Sequence, residues 1–305
     1  MKSRRAALVP LVVGLIAALP DVASAQDLEP RAYSAAPIGT TFIVAGWGHS
    51  TGDVLVDTGA PVQDVSASTN FATLGSGTTF SLFGRTALLL AAFPYAWSAV
   101  SGRVGEASGS VSRSGLADPR IKLSVNFLGG RPLKRSEFAG AERKTIVGAS
   151  LTVAPPLGQY DPAKLINLGA NRWSFRPEAG VSHPINKWTL DGYAGVWLFT
   201  TNDAYYTGSS VRTQDPIVAI QGHTSYTFKP RLWIAFDATW YSGGTAAVDG
   251  TQQGSPQRNT RIGSTLSLPL TKKQSVKVSV TKGATTRAGA DFTTVGGVWQ
   301  FSWFN

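Results

Sequence analysis

Residues 231–240 read RLWIAFDATW. Leu232, Ile234, Phe236, Ala238 and Trp240 share one parity, and Arg231, Trp233, Ala235, Asp237 and Thr239 share the other. Side chains alternate faces along a strand, so this stretch has an apolar side and a more polar one. The rhythm returns at Ile262, Leu266, Leu268 and Leu270, and in Val276, Val278 and Val280 set against Lys277, Ser279 and Thr281. Repeated alternating segments of about ten residues, split by turn residues, are the sequence form of a transmembrane β-barrel. The fold expected is all-β, an antiparallel up-and-down barrel of twelve strands.

Working outward, strands are expected near 40–57, 78–92, 95–105, 115–128, 143–155, 172–183, 187–200, 214–228, 231–242, 259–270, 274–283 and 292–304. Phe93-Pro94-Tyr95, Pro184-Ile185-Asn186, Lys229-Pro230 and Thr271-Lys272-Lys273 read as tight turns. Gly129 to Glu142 is longer but falls on the same side. The Gly/Ser/Thr/Asp-rich stretches 58–77, 106–114, 156–171, 201–213 and 243–258 read as long loops on the other side. Short turns on one side and long loops on the other are the habit of outer-membrane barrels, with the short turns toward the periplasm. Closure follows because no backbone group can stay unpaired in hydrocarbon.

The start of the chain fits export. Lys2, Arg4 and Arg5 precede an apolar run from Ala6 to Leu19, and Ala23-Ser24-Ala25 forms a cleavage site. Residues 1–25 are therefore expected to be a signal peptide. Residues 26–39 are expected to be an N-terminal periplasmic segment, and 40–305 the barrel. Excision removes three basic residues and one acidic one, taking the formal balance from +10 to +8. A positive balance can signal nucleic acid, but an exported chain does not meet it. Lipopolysaccharide or a selective lumen are the expected uses. With no cysteine, disulfides and thiolate chemistry are excluded. The nine Trp, eight Tyr and 14 Phe suit aromatic girdles at the two membrane interfaces. In the final segment Trp299, Phe301 and Trp303 alternate with Val298, Gln300 and Ser302. That ending resembles the signal read by the barrel assembly machinery, although Asn305 takes the place where the signal carries an aromatic residue.

If apolar residues face lipid, the opposite parity faces the lumen. This assigns Arg85, Asp118, Arg120, Lys122, Arg172, Arg176, Glu178, Asp191, Gln221, His223, Arg231, Asp237, Arg261 and Lys277 to the interior. A charge on the lipid face near the midplane costs ~2–4 kcal/mol, which is the reason for the shared parity. These charges form either a net basic wall of a pathway or an ion-pair network that braces a closed lumen. Phe83, Trp97, Tyr193, Trp197 and Trp233 take inward positions by the same parity.

Catalytic and metal-binding patterns are poor. The histidines are His49, His183 and His223, and there is no G-x-S-x-G, metal-type H-x-x-x-H or phosphate loop. The chain is read as a non-enzyme with no cofactor.

The segments GRTALLLAAFPY (84–95), GLADPRIKLSVNFLG (115–129) and TVAPPLGQYDPAKLINLGANRWSFRPEAGVS (152–182) resemble a bacterial outer-membrane family named for the MetA pathway of phenol degradation. The block containing Pro155, Gly158, Tyr160, Asn167, Gly169, Asn171, Arg172, Trp173 and Pro177 carries the resemblance, which extends over roughly 40–304. It implies an outer-membrane barrel that takes up aromatic or other hydrophobic small molecules, and brings no catalytic residues. Gly158, Tyr160, Asn167 and Asn171 lie in a sixteen-residue loop that either folds inward as a constriction or stays in solvent. The expected partners are outer-membrane lipid and lipopolysaccharide, hydrophobic solutes, and the assembly machinery. The leading expectation is passive uptake. A general water-filled porin and a closed structural or adhesive barrel are the alternatives.

Overall fold

The computed structural model describes residues 29–55, 62–104, 106–138 and 140–304. The expected signal peptide lies outside the described residues. The strands are β1 (Thr40–Leu55), β2 (Val62–Leu82), β3 (Arg85–Val104), β4 (Ala107–Leu116), β5 (Arg120–Leu128), β6 (Ile146–Ala154), β7 (Ser174–Ile185), β8 (Trp188–Phe199), β9 (Asn202–Tyr205), β10 (Ser210–Gln214), β11 (Ile217–Lys229), β12 (Leu232–Gly243), β13 (Ala246–Val248), β14 (Thr251–Gln253), β15 (Gln257–Pro269), β16 (Gln274–Thr285) and β17 (Gly289–Phe304). One short helix, α1 (Arg135–Phe138), sits between β5 and β6.

Twelve staves close the ring: β1, β2, β3, the β4–β5 pair, β6, β7, β8, β11, β12, β15, β16 and β17, each antiparallel to its neighbour. β1 closes on β17 from Thr40 opposite Phe304 to Leu55 opposite Gly289. The expected fold and strand number are those of the structure. Large apolar side chains such as Ile43, Trp47, Leu123, Ile220, Phe236 and Val280 face outward and exposed. Their neighbours in sequence face a polar interior, as β12 shows: Trp233, Ala235, Asp237, Thr239 and Tyr241 are buried.

Four expected boundaries differ. Phe93-Pro94-Tyr95 is no turn: Pro94 lies within β3, opposite Thr73 of β2. The turn is Phe83-Gly84, both with positive φ (49° and 71°), the geometry that matches strand twist in two-residue hairpins. Residues 62–77, read as loop, belong to β2, and 107–114 belong to β4. These strands are rich in Ser, Thr and Gly and continue past the apolar belt, so composition concealed them. The expected strand 115–128 is broken at Ala117-Asp118-Pro119, which lies between β4 and β5. β3 pairs with β4 above the break (Tyr95 opposite Leu116) and with β5 below it (Ala92 opposite Arg120).

Both ends of the ring sequence, Thr40 and Phe304, lie at the end carrying the short turns. At the long-loop end, β14, β13, β10 and β9 form a second small sheet from the loops after β8 and β12. Asp249 of this cap accepts the Val211 amide, and the Gln214 amide donates to Gly244 O.

Candidate functional site: the lumen and its N-terminal insert

The described part of segment 26–39 is not a periplasmic tail. It enters the lumen and lies on the wall made by β5 to β12. Glu29 forms an ion pair with Lys122 of β5. The Arg31 amide donates to Asp191 of β8 at 3.3 Å, and its guanidinium donates to Ser225 at 2.8 Å and Thr227 at 2.6 Å on β11. The same guanidinium stands 4.7 Å over the Trp233 ring. Tyr33 is 1% exposed. Its hydroxyl meets Ser150 Oγ at 3.0 Å and donates to Glu178 Oε1 at 3.1 Å, while its ring packs edge-on against Tyr193 at 5.2 Å. The segment leaves at the short-turn end, where Ile38 N donates to Leu133 O and Thr79 Oγ1 donates to Pro37 O.

Local sequence makes room for this insert. Gly148 of β6 faces Gly180 of β7 in register. A Cβ at either would stand 2.6 or 2.4 Å from the Tyr33 ring. Both positions face inward, so the paired glycines cut a shallow seat in the wall.

The polar wall is dense and largely paired. Arg176 and Glu178 form an ion pair, and Lys122 stands 3.9 Å from Glu178. His223 Nδ1 lies 2.6 Å from Asp237 Oδ1, and Nε2 lies 3.2 Å from Gln221 Oε1. Thr265 donates to the second Asp237 oxygen at 3.2 Å. Arg261 donates to Phe292 O at 2.7 Å and to Thr281 at 3.3 Å. The ion pairs survive in the interior because each charge meets a counter-charge at hydrogen-bond distance, and Arg261 is held by a carbonyl and a hydroxyl.

The opposite wall differs. Phe42 and Val44 of β1, Phe71 of β2, Leu88 and Leu90 of β3, and Val298 of β17 have inward parity. Side chains here lie over inward glycines: a Cβ at Gly77 would meet the Phe42 ring, and one at Gly48 the Phe71 ring. The insert seats on the polar half, and these apolar side chains remain partly exposed. The lumen therefore has one charged face and one apolar face.

Most expected interior residues are there. Lys122, Arg176, Glu178, Asp191, Gln221, His223, Asp237 and Arg261 are buried on inward parity, and Arg120 shares it. Lys277 shares it too, with its ammonium 5.8 Å over Trp233. Tyr193, Trp197 and Trp233 also point inward.

Five expectations are corrected. Arg85 opens β3 on the outward parity, opposite Leu82. Its misplacement has a physical cause: Ala87–Ala92 is apolar on both faces, so it carries no phase. Trp97 is outward, 45% exposed and 4.7 Å from Tyr95. Phe83 sits in the turn, 95% exposed. Arg231 lies in a turn and donates to Thr271 O and Lys272 O, joining two short turns at the rim. Asp118, in the break between β4 and β5, accepts the Gly158 amide at 2.8 Å and the Ala170 amide at 2.7 Å. It gathers both ends of the loop between β6 and β7.

That loop is built by the motif that carried the family resemblance. A Cβ at Gly169 would stand 2.7 Å from Gly158. Asn167 accepts the Asp161 amide and donates to Asp161 O and Lys164 O. Lys164 bridges Asp161 at 2.7 Å and holds that carboxylate below its usual range. The Tyr160 hydroxyl donates to Ala204 O and accepts from Asn202, and burial pushes its pKa up. Asn171 donates to Asn202 at 2.8 Å. Arg172, 2% exposed, reaches Gln214 of β10 and stands over Phe199. The loop is thus locked to the small sheet as a cap at the long-loop mouth. Its motif residues bond to neighbouring residues of the cap, so they shape it instead of offering groups to a ligand.

Sequence reasoning missed Glu29, Arg31 and Tyr33. Gly148 and Gly180 were the available signal, since inward glycines on adjacent strands ask what fills them. Among the described residues, no group of three or more His, Asp or Glu side chains is placed to hold a metal ion.

Comparison with known proteins agrees with this architecture. The family described as "Putative MetA-pathway of phenol degradation" matches residues 44–301. The COG4313 outer membrane channel from Pseudomonas putida F1 superposes with a TM-score of 0.76 at 22% identity, over 91% of this chain and 100% of that one. The transport unit of the autotransporter AIDA-I from Escherichia coli gives a TM-score of 0.51 at 13% identity, over 92% and 93%. The β domain of the Bordetella autotransporter BrkA gives 0.52 at 11% identity, over 87% and 100%. These likenesses establish an outer-membrane barrel fold. No curated protein matches the chain.

Proposed function

This chain belongs to that family of the MetA pathway of phenol degradation, and from this premise we propose that it is a passive outer-membrane channel for small hydrophobic or aromatic solutes, without enzymatic activity. One observation carries the reading: the described part of the insert lies on the charged half of the lumen, and the side chains of the apolar half stay partly exposed. A general porin needs a continuous polar path. Here the polar surface is largely spent on the insert, and the remaining surface includes Phe42, Val44, Phe71, Leu88, Leu90 and Val298. An aromatic solute that buries about 100 Å² of apolar surface there gains ~2.5 kcal/mol. That is enough to favour entry over water and weak enough to permit release.

The test uses intact cells, because phospholipid vesicles already leak aromatics. Uptake of a labelled aromatic solute and of a small sugar is compared in cells with and without the protein. The expected result is several-fold slower aromatic uptake on deletion with sugar uptake unchanged. Large, solute-indifferent conductance of the purified protein in planar bilayers, with unchanged aromatic uptake, would overturn the proposal.

A further inference from the structure

The positive charge of the molecule is concentrated at one end. The short turns carry eleven Lys and Arg side chains against two carboxylates, Glu137 and Glu142. Five of the cations come from segment 129–145. Six come from the tight turns: Arg85, Lys187, Lys229, Arg231, Lys272 and Lys273. Elsewhere the described residues hold fourteen cations against thirteen carboxylates, so this rim accounts for nine of their ten net charges. The excess expected to serve lipopolysaccharide or the lumen stands at neither place.

Some of these cations hold the turns together. Arg231 binds the carbonyls of the next turn, and Arg143 donates to Asn186 O and Thr189. Lys187, Lys229, Lys272 and Lys273 are exposed, with no carboxylate in ion-pair range among the described residues. Just beside them the outer wall bears exposed rings: Phe127, Trp188 and Phe228, with Trp188 packed on Tyr226 and Tyr226 on Phe228. Aromatic side chains of this kind mark the level where acyl chains give way to headgroups. The lysines therefore stand at headgroup height on three neighbouring turns, directly beside rings that face acyl chains, a level that lipid reaches and a soluble acidic partner does not.

We infer that the short-turn rim binds the anionic phospholipid headgroups of the periplasmic leaflet. The phosphate is met by the turn lysines and the acyl chains by the aromatic belt. Screening limits the attraction to charges within about 8 Å at physiological ionic strength, so headgroup height is decisive.

Native mass spectrometry of the detergent-solubilised full chain with equimolar phosphatidylglycerol and phosphatidylethanolamine tests this. Phosphatidylglycerol adducts are expected to exceed phosphatidylethanolamine adducts about fivefold. The combined Lys187→Ser, Lys229→Ser, Lys272→Ser and Lys273→Ser variant should bring the ratio near one while keeping heat-modifiable gel mobility. A control with Arg258→Ser, Lys282→Ser and Arg287→Ser at the long-loop end should keep the wild-type ratio. A wild-type ratio near one, an unchanged ratio in the quadruple variant, or an equal loss in the control would overturn the inference. So would displacement of the lipid by glycerol phosphate at equal concentration, which would mark a free-anion site. Binding of hexaglutamate without any phosphatidylglycerol preference would mark an acidic protein partner and overturn it as well.

Discussion

Gly148 stands directly opposite Gly180 across β6 and β7, and the ring of Tyr33 rests on both. The pair explains how an irregular segment can lie against a closed wall without pushing it outward. It also makes the seat easy to destroy. Gly180→Val places a branched side chain where the ring lies. The insert should leave, and single-channel conductance in planar bilayers should rise several-fold while the barrel stays folded.

Tyr33→Ala removes the ring instead of its seat. Losing a buried aromatic side chain costs about 3 kcal/mol, a factor of about 100 in the seated population. Bilayer recordings should show frequent openings absent from the wild type. Arg31→Ala, which removes three contacts but not the ring, should act in the same direction.

Asp118→Ala frees both ends of the loop between β6 and β7. Each lost charge-assisted hydrogen bond is worth about 1.5–3 kcal/mol. Trypsin should then cut at Lys164 in the folded barrel, where the wild type resists. Asp118→Asn, which keeps one acceptor, should fall between the two.

Asp237→Ala leaves His223 and Thr265 facing an empty acceptor position. An unpaired buried polar group costs about 1–3 kcal/mol, and more for a charged one. The urea midpoint for loss of heat-modifiable mobility should fall clearly, with conductance little changed, because this network lies in the wall.

Leu90→Asn together with Phe71→Asn wets the apolar face. Each loses ~1 kcal/mol of contact with an apolar solute if about 40 Å² is involved. Aromatic uptake by cells should fall about fivefold or more, while ionic conductance should hold or rise.

Legibility in the sequence followed the contrast between the two faces. From β5 to β16, one face is greasy and the other polar, so Lys122, Arg176, Asp191, His223 and Arg261 were assigned correctly from parity alone. In β3 the run Ala87–Ala92 is apolar on both sides, because its inward face belongs to the apolar wall. Parity there has no contrast to read, and Arg85 and Trp97 were placed on the wrong side. Most of β2 was read as loop for the opposite reason: Ser66, Ser68, Thr69 and Asn70 are polar on both sides beyond the apolar belt. The insert could not be read locally, since Tyr33 meets residues 117 to 145 positions away. The motif around Tyr160 and Asn167 was recognised but its role was not, because hydrogen bonding within a loop leaves no periodic trace.

The distance in sequence between Arg31 and its acceptors Ser225 and Thr227, 194 and 196 positions, orders events during biogenesis. The residues that line the charged wall are made long before their partners, and their berth is complete only after β11 and β12 have been laid. The insert can therefore take its full set of contacts only once that half of the wall stands.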